Sequence, residues 1–229
     1  MMSTISDLAA QYDLAAAIDQ TLLLTTATEQ EVEEACQAAD RWHFATVCVH
    51  PCHVWLARER LKGSRVRVTT VVGFPLGTTT PQVKQYEAEQ AVDQGAEELD
   101  VRINLGWLKE GSTDRLHSEL AEIVEATGIP IKAILETSLL TVAEKQLAAE
   151  ICVDAGAMWL MTSTGWAGGA TVEDVTTLWQ VSQGKVGVKA SGGIRTLEQA
   201  FALLAAGATR LGTSWGCELM EQLIATASP

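Results

Sequence analysis

The chain has 229 residues, 47% of them hydrophobic, and no run of roughly 18 uncharged apolar residues that would span a membrane. Acidic side chains outnumber basic ones 29 to 16, for a net charge of −13. That balance excludes nucleic acid as the main partner, since phosphate backbones need clustered cations, but it leaves room for a small phosphorylated ligand held by backbone amides and one lysine.

In chain order, an extra helix is expected over Thr4–Ala16, and the segment Met1–Leu14 lacks the basic-then-apolar pattern of a signal peptide. A first strand begins near Ala17 and ends in Asp19, Gln20 and Thr21. Thr28 caps a helix over Glu29–Trp42. A second strand from Thr46 holds Cys48 and His50 and runs into a helix through Cys52 and His53. His50, Cys52 and His53 have no fourth ligand at standard spacing, so no metal is expected. A third strand starts near Val66, and Gln82–Gln94 has helical spacing up to Gly95. The fourth strand, from Glu98, includes Leu99–Asp100–Val101–Arg102–Ile103–Asn104, and the fifth follows Gly128, from Ile131. A helix over Thr141–Ala155 closes at Gly156. The sixth strand, from Met158, includes Leu160–Met161–Thr162–Ser163–Thr164–Gly165, and the seventh, from Lys185, runs on to Ser191–Gly192–Gly193. After a helix over Thr196–Ala206 and Gly207, the eighth strand runs from Arg210 to Gly212, Thr213 and Ser214.

Eight strands alternating with helices fit a single (β/α)8 TIM barrel with an extra N-terminal helix, occupying 1–229 as one domain, better than a doubly wound open sheet. The five cysteines are odd in number and form no Cys-x-x-Cys pair, which suits a reduced, cytoplasmic protein.

Active sites of such barrels lie at the C-terminal strand ends. Charges inside strands are costly unless paired or functional, which singles out Asp100, Arg102 and Lys189. Alternation puts Asp100, Arg102 and Asn104 on one face, so Asp100 and Arg102 are expected to point into the barrel together. Lys189 is read either as a functional amine or as the structural ion-pair partner of Asp100. Gly192–Gly193, Gly212–Thr213–Ser214 and Thr164–Gly165 together suggest a phosphate site, with the dipoles of the following helices assisting.

With these residues in place, the chain resembles class I deoxyribose-phosphate aldolase. The matching segments are Ile18–Leu23, Val47–Cys48–Val49, Gly73–Phe74–Pro75–Leu76–Gly77, Glu98–Leu99–Asp100, Thr162–Ser163–Thr164–Gly165 and Val188–Lys189–Ala190–Ser191–Gly192–Gly193–Ile194–Arg195, in family order and with a cyanobacterial cast. The resemblance implies cleavage of 2-deoxyribose 5-phosphate to glyceraldehyde 3-phosphate and acetaldehyde through a lysine imine that serves as the electron sink. It implies no cofactor, a small phosphorylated sugar or aldehyde as ligand, and a family that is often dimeric. Asp100 matches the proton-transfer aspartate, Lys189 the strand-7 lysine, and Cys48 a pocket cysteine. Asp19, Thr21 and Thr164 join the substrate pocket, and Gly165, Gly192, Gly193, Gly212 and Ser214 match phosphate-binding positions. Met161 matches the imine-forming lysine.

Other departures accompany Met161: Arg102 for an apolar residue, Gln20 for a common histidine, and Trp215 after Ser214. These changes are read as remodelling of one cavity, in which Arg102 pairs with Asp100 and partly fills the old substrate pocket. Trp107, Trp166 and Trp215 would make such a cavity more apolar. Three functional readings follow: an aldolase that uses Lys189, a family member that has lost aldolase activity and binds a sugar phosphate, or a pocket rebuilt for another ligand.

Overall fold

The computed structural model describes residues 5–227. Its elements, in order, are α1 (Ile5–Gln11), α2 (Leu14–Ala17), β1 (Ile18–Leu22), α3 (Glu29–Trp42), β2 (Thr46–Val49), α4 (Val54–Arg60), β3 (Arg67–Val72), α5 (Pro81–Asp93), β4 (Glu98–Arg102), α6 (Leu105–Lys109), α7 (Thr113–Thr127), β5 (Ile131–Ile134), α8 (Val142–Asp154), β6 (Trp159–Met161), α9 (Val172–Ser182), β7 (Gly187–Ser191), α10 (Leu197–Ala205), β8 (Arg210–Thr213) and α11 (Gly216–Ala227). The strands close in sequence order into a parallel barrel, with β1 paired to both β2 and β8. The expected (β/α)8 barrel is therefore the observed fold.

Two differences from the sequence reading are local. The expected N-terminal helix is two helices, broken at Tyr12–Asp13, where the Asp13 carboxylate accepts from Ala16 N–H and starts the second. The Thr4 end of that expectation lies outside the described residues. The sixth strand stops at Met161, and Thr162–Gly165 is loop.

Threonines start several helices. Thr28, Thr141 and Thr196 each accept from the backbone three residues on, while Glu31, Glu144 and Gln199 reach back to the cap N–H. Each such cap contributes about 1 kcal/mol.

Alternation sorts the strands into two environments. Ile18, Val47, Val68, Leu99, Val101, Ile131, Ala133, Leu160, Val188 and Leu211 face the helices and join one apolar core. The opposite faces carry Asp19, Cys48, Glu98, Asp100, Lys132, Met161, Lys189 and Arg210, all buried. The barrel interior is thus largely ionic, and its charges must satisfy one another.

Candidate active site

Three carboxylates and three cations interlock inside the barrel. Lys132 Nζ lies 2.6 Å from Glu98, 2.9 Å from Asp100 and 3.8 Å from Asp19. Register explains the second contact, since Asp100 and Lys132 are partners across β4 and β5. Lys189 Nζ donates to Asp100 Oδ2 at 2.6 Å and lies 2.8 Å from Asp19 Oδ2 as an ion pair without hydrogen-bond alignment. Arg210 closes the ring on Asp19 at 2.6 Å and Glu98 at 3.3 Å, and half-exposed Arg67 reaches Glu98 from the rim at 2.8 Å.

These contacts set the protonation states. Burial alone would lower the Lys189 pKa, but Asp100 and Asp19 outweigh it and hold the ammonium well above the ordinary lysine range. Burial alone would raise Asp19, but Lys189, Lys132 and Arg210 press it far below the ordinary carboxylate range. Cys48 Sγ sits 3.9 Å from Asp100 Oδ2, and burial followed by the Asp100 charge pushes its thiol pKa up strongly. Met161 is buried on β6, in register with Ile134 and Lys189. It brings no charge to this cluster.

Arg102 does not pair with Asp100, whose oxygens belong to Lys132 and Lys189. It sits at the C-terminal end of its strand, where its long side chain leaves the barrel axis. Its guanidinium donates to Pro75 O at 3.1 Å and Ile134 O at 3.2 Å, and lies 3.7 Å from Glu136. Burial lowers its pKa, opposed by Glu136. Glu136, in the left-handed region at φ 53°, accepts from Thr164 N–H at 3.2 Å and from the Thr164 hydroxyl at 2.6 Å. Arg102 thus ties together the loops after β3, β5 and β6. Asn104 has left the strand and caps α6 through Gly106 and Trp107 N–H.

The expected phosphate residues do converge. A cleft of about 350 Å³ at the C-terminal mouth is lined by Thr21, Thr164, Gly165, Gly192, Gly193, Gly212 and Ser214, together with Trp166 and Trp215. Gly192 has φ +94°, and a Cβ there would stand 3.0 Å from Gly165 Cα and 3.1 Å from Gly168 O, so no side chain fits without moving the loops. At Gly212 a Cβ would come within 2.9 Å of the Lys189 Cε, so glycine lets the lysine stem pass.

Two other expectations of a shared cavity are corrected. Gln20 lies on the other face of β1 from Asp19, with its amide 3.5 Å from Ser214 O and its carbonyl oxygen packed near Gly216. Trp107 stacks on Arg115 at 4.3 Å in a separate groove with Pro81 and Glu122. Among the described residues, no group of three or more His, Cys, Asp or Glu side chains is arranged to hold a metal ion. Sequence reasoning missed Glu98, Lys132, Glu136 and Arg210. The first, second and last carry the signal that singled out Asp100, a charge inside an apolar strand. Glu136 lies beyond its strand and carried no such signal.

A closed parallel barrel with a glycine-lined cleft at its C-terminal mouth and lysine–carboxylate pairs beneath defines a (β/α)8 barrel with its candidate site at the end where such barrels carry their active sites. The chain belongs to the DeoC/LacD family of aldolases, whose model matches residues 14–219. It is similar to the deoxyribose-phosphate aldolase of Microcystis aeruginosa, at 59% identity over 97% of each chain. Among solved structures it is similar to the aldolase QR15, with a TM-score of 0.90 and 40% identity over 94% of this chain and 97% of that one. It also resembles the tetrameric deoxyribose phosphate aldolase of Aeropyrum pernix, with a TM-score of 0.87 and 32% identity over 93% and 92% of the two chains. No helix among the described residues is long and apolar enough to cross a membrane.

Proposed function

We propose that this chain, acting as one domain, binds a small phosphorylated sugar or aldehyde of the 2-deoxyribose 5-phosphate class. In this reading, aldolase activity by the Schiff-base route is lost or strongly impaired. The observation that carries the reading is the state of the amines. Met161 occupies the position that the family resemblance assigns to the imine-forming lysine, and the two lysines inside the barrel, Lys132 and Lys189, are both ion-paired ammonium groups.

Imine formation needs a free amine lone pair at a carbonyl carbon. A second lysine on β6 would be a like charge beside Lys189 and would make one of the pair easier to deprotonate. With Met161 there, no like charge on β6 offsets Asp100 and Asp19, which outweigh burial and keep Lys189 protonated. Use of Lys189 as the nucleophile would require it to leave both carboxylates, so these ion pairs weigh against that second reading. Arginine cannot substitute, because its guanidinium stays protonated.

Ligand binding is a separate property. Backbone N–H groups around Gly165, Gly192, Gly193 and Gly212, with the Ser214 hydroxyl, supply donors for a phosphate, and the helices after these turns add favourable dipoles. Asp100 and Cys48 lie deeper, where the sugar carbons would reach, and Asp100 is the candidate proton carrier. A pocket rebuilt for another ligand is favoured only by the tryptophans on the cleft rim. Assembly as a homodimer is proposed on the family resemblance alone.

Borohydride trapping with 2-deoxyribose 5-phosphate, read by intact mass and peptide mapping, tests the proposal. The expected result is no adduct on the parent protein and an adduct at position 161 in the Met161→Lys variant. An adduct on Lys189 of the parent would overturn the proposal.

A further inference from the structure

Two tryptophans stand on the rim of the same cleft. Trp166 follows Gly165 on the loop after β6, and Trp215 follows Ser214 on the loop after β8, flanking the Gly192–Gly193 turn that follows β7. Trp166 is 66% exposed and Trp215 40%. Isolated exposed apolar residues are ordinary, but two large rings bordering one polar glycine cleft concentrate apolar surface where a ligand would sit.

Both rings are held in place. Trp166 meets Phe74 edge-on at 6.4 Å between centroids, and its backbone N–H, which fixes the main chain beneath the ring, donates to the Thr164 hydroxyl at 3.1 Å. The Arg195 guanidinium lies 5.4 Å from the Trp215 ring centre, and the Trp215 backbone N–H donates to the Thr213 hydroxyl at 2.9 Å. Rings oriented before binding lose little entropy when a partner stacks on them. The cleft, at about 350 Å³, falls within the small-molecule range and exceeds what a phosphate fills. A sugar phosphate offers an indole only C–H groups, a weaker contact than the offset stacking of an aromatic ring.

We infer that the cleft takes phosphate monoesters that carry a flat aromatic group, as nucleotides do. The phosphate would sit at Gly192, Gly193 and Ser214, and the ring against Trp166 and Trp215. The inference rests on the phosphate reading of this cleft given above and extends the attached group beyond the sugar or aldehyde proposed there.

Isothermal titration calorimetry on the full chain tests it with three probes: inorganic phosphate, 2-deoxyribose 5-phosphate and phenyl phosphate. Phenyl phosphate is expected to bind about tenfold more tightly than the sugar phosphate, the scale of one stacking contact. That ratio is expected to fall close to one in the Trp166→Leu/Trp215→Leu double variant and to persist in the corresponding double Phe variant, which keeps the aromatic faces. Equal affinities in the parent, or a preference that survives the double Leu variant, would overturn the inference while leaving phosphate binding intact. Phenyl phosphate binding that inorganic phosphate does not displace would also overturn it, by placing the aryl group elsewhere. Absence of binding by all three probes would overturn both the inference and the phosphate reading.

Discussion

Replacing Lys132 with Met probes the ionic interior most directly. The parent cluster balances Asp19, Glu98 and Asp100 against Lys132, Lys189 and Arg210, with Arg67 assisting from the rim. Lys132 has no solvent exposure and touches all three carboxylates. Methionine keeps much of the stem volume, so the main loss is charge: three buried carboxylates would face two buried cations. Removing one partner of a buried ion pair costs about 3–5 kcal/mol. For a chain of this size, each 1 kcal/mol moves Tm by about 2–4 °C, so Tm should fall by roughly 6–20 °C. Thermal melts followed by circular dichroism at neutral pH, with urea titrations to check that the m value is unchanged, give the measurement. The Glu98→Gln/Lys132→Met pair removes one charge of each sign and should recover part of the loss. A Lys132→Met variant that melts within about 2 °C of the parent would refute the claim that the cluster depends on charge balance.

The pH dependence has a defined sign. Asp19 is lowered when folded, despite the opposing effect of burial, because Lys189, Lys132 and Arg210 favour its anion. Its stabilisation is complete above the unfolded carboxylate value of about 3.9 and is lost as pH falls below it. Melting temperatures should therefore decline below about pH 4, and Asp19→Asn should be less stable at neutral pH with a shallower acid decline. Thiol reactivity should follow burial: Cys52 is exposed, whereas burial pushes Cys36 and Cys152 up to about 12 and raises Cys48 strongly. Peptide mapping after iodoacetamide treatment of the native protein should find Cys52 modified, with Cys36, Cys48 and Cys152 modified only after unfolding. Gly192→Ala would force a Cβ against Gly165 and Gly168 at positive φ, and should weaken inorganic phosphate binding at least tenfold, on the order of 1.4 kcal/mol, in calorimetry.

Much of the frame was legible from local pattern. Thr28, Thr141 and Thr196 announced their helices because a capping threonine and the Glu or Gln three residues later satisfy each other within one turn. The expected strand starts near Ala17, Val66, Met158 and Lys185 fall within two residues of Ile18, Arg67, Trp159 and Gly187, because apolar runs mark strands buried on the helix side. The glycine turns after β6, β7 and β8 were legible for a similar reason, and the barrel then brought Gly165, Gly192 and Gly212 to one cleft.

By itself, the sequence determined the family, the order of the barrel elements, and the presence of Met161 and Lys189 on neighbouring strands. Tertiary structure decided which charges meet. Alternation correctly put Asp100 inside the barrel, yet its partners lie 32 residues away at Lys132 and 89 away at Lys189. The same alternation failed for Arg102, whose long side chain at a strand end reached Pro75 and Glu136, and it turned Gln20 away from Asp19 toward Ser214 and Gly216. Ion pairing falls off with distance through space, and distances across a closed barrel are set by register and closure rather than by position along the chain.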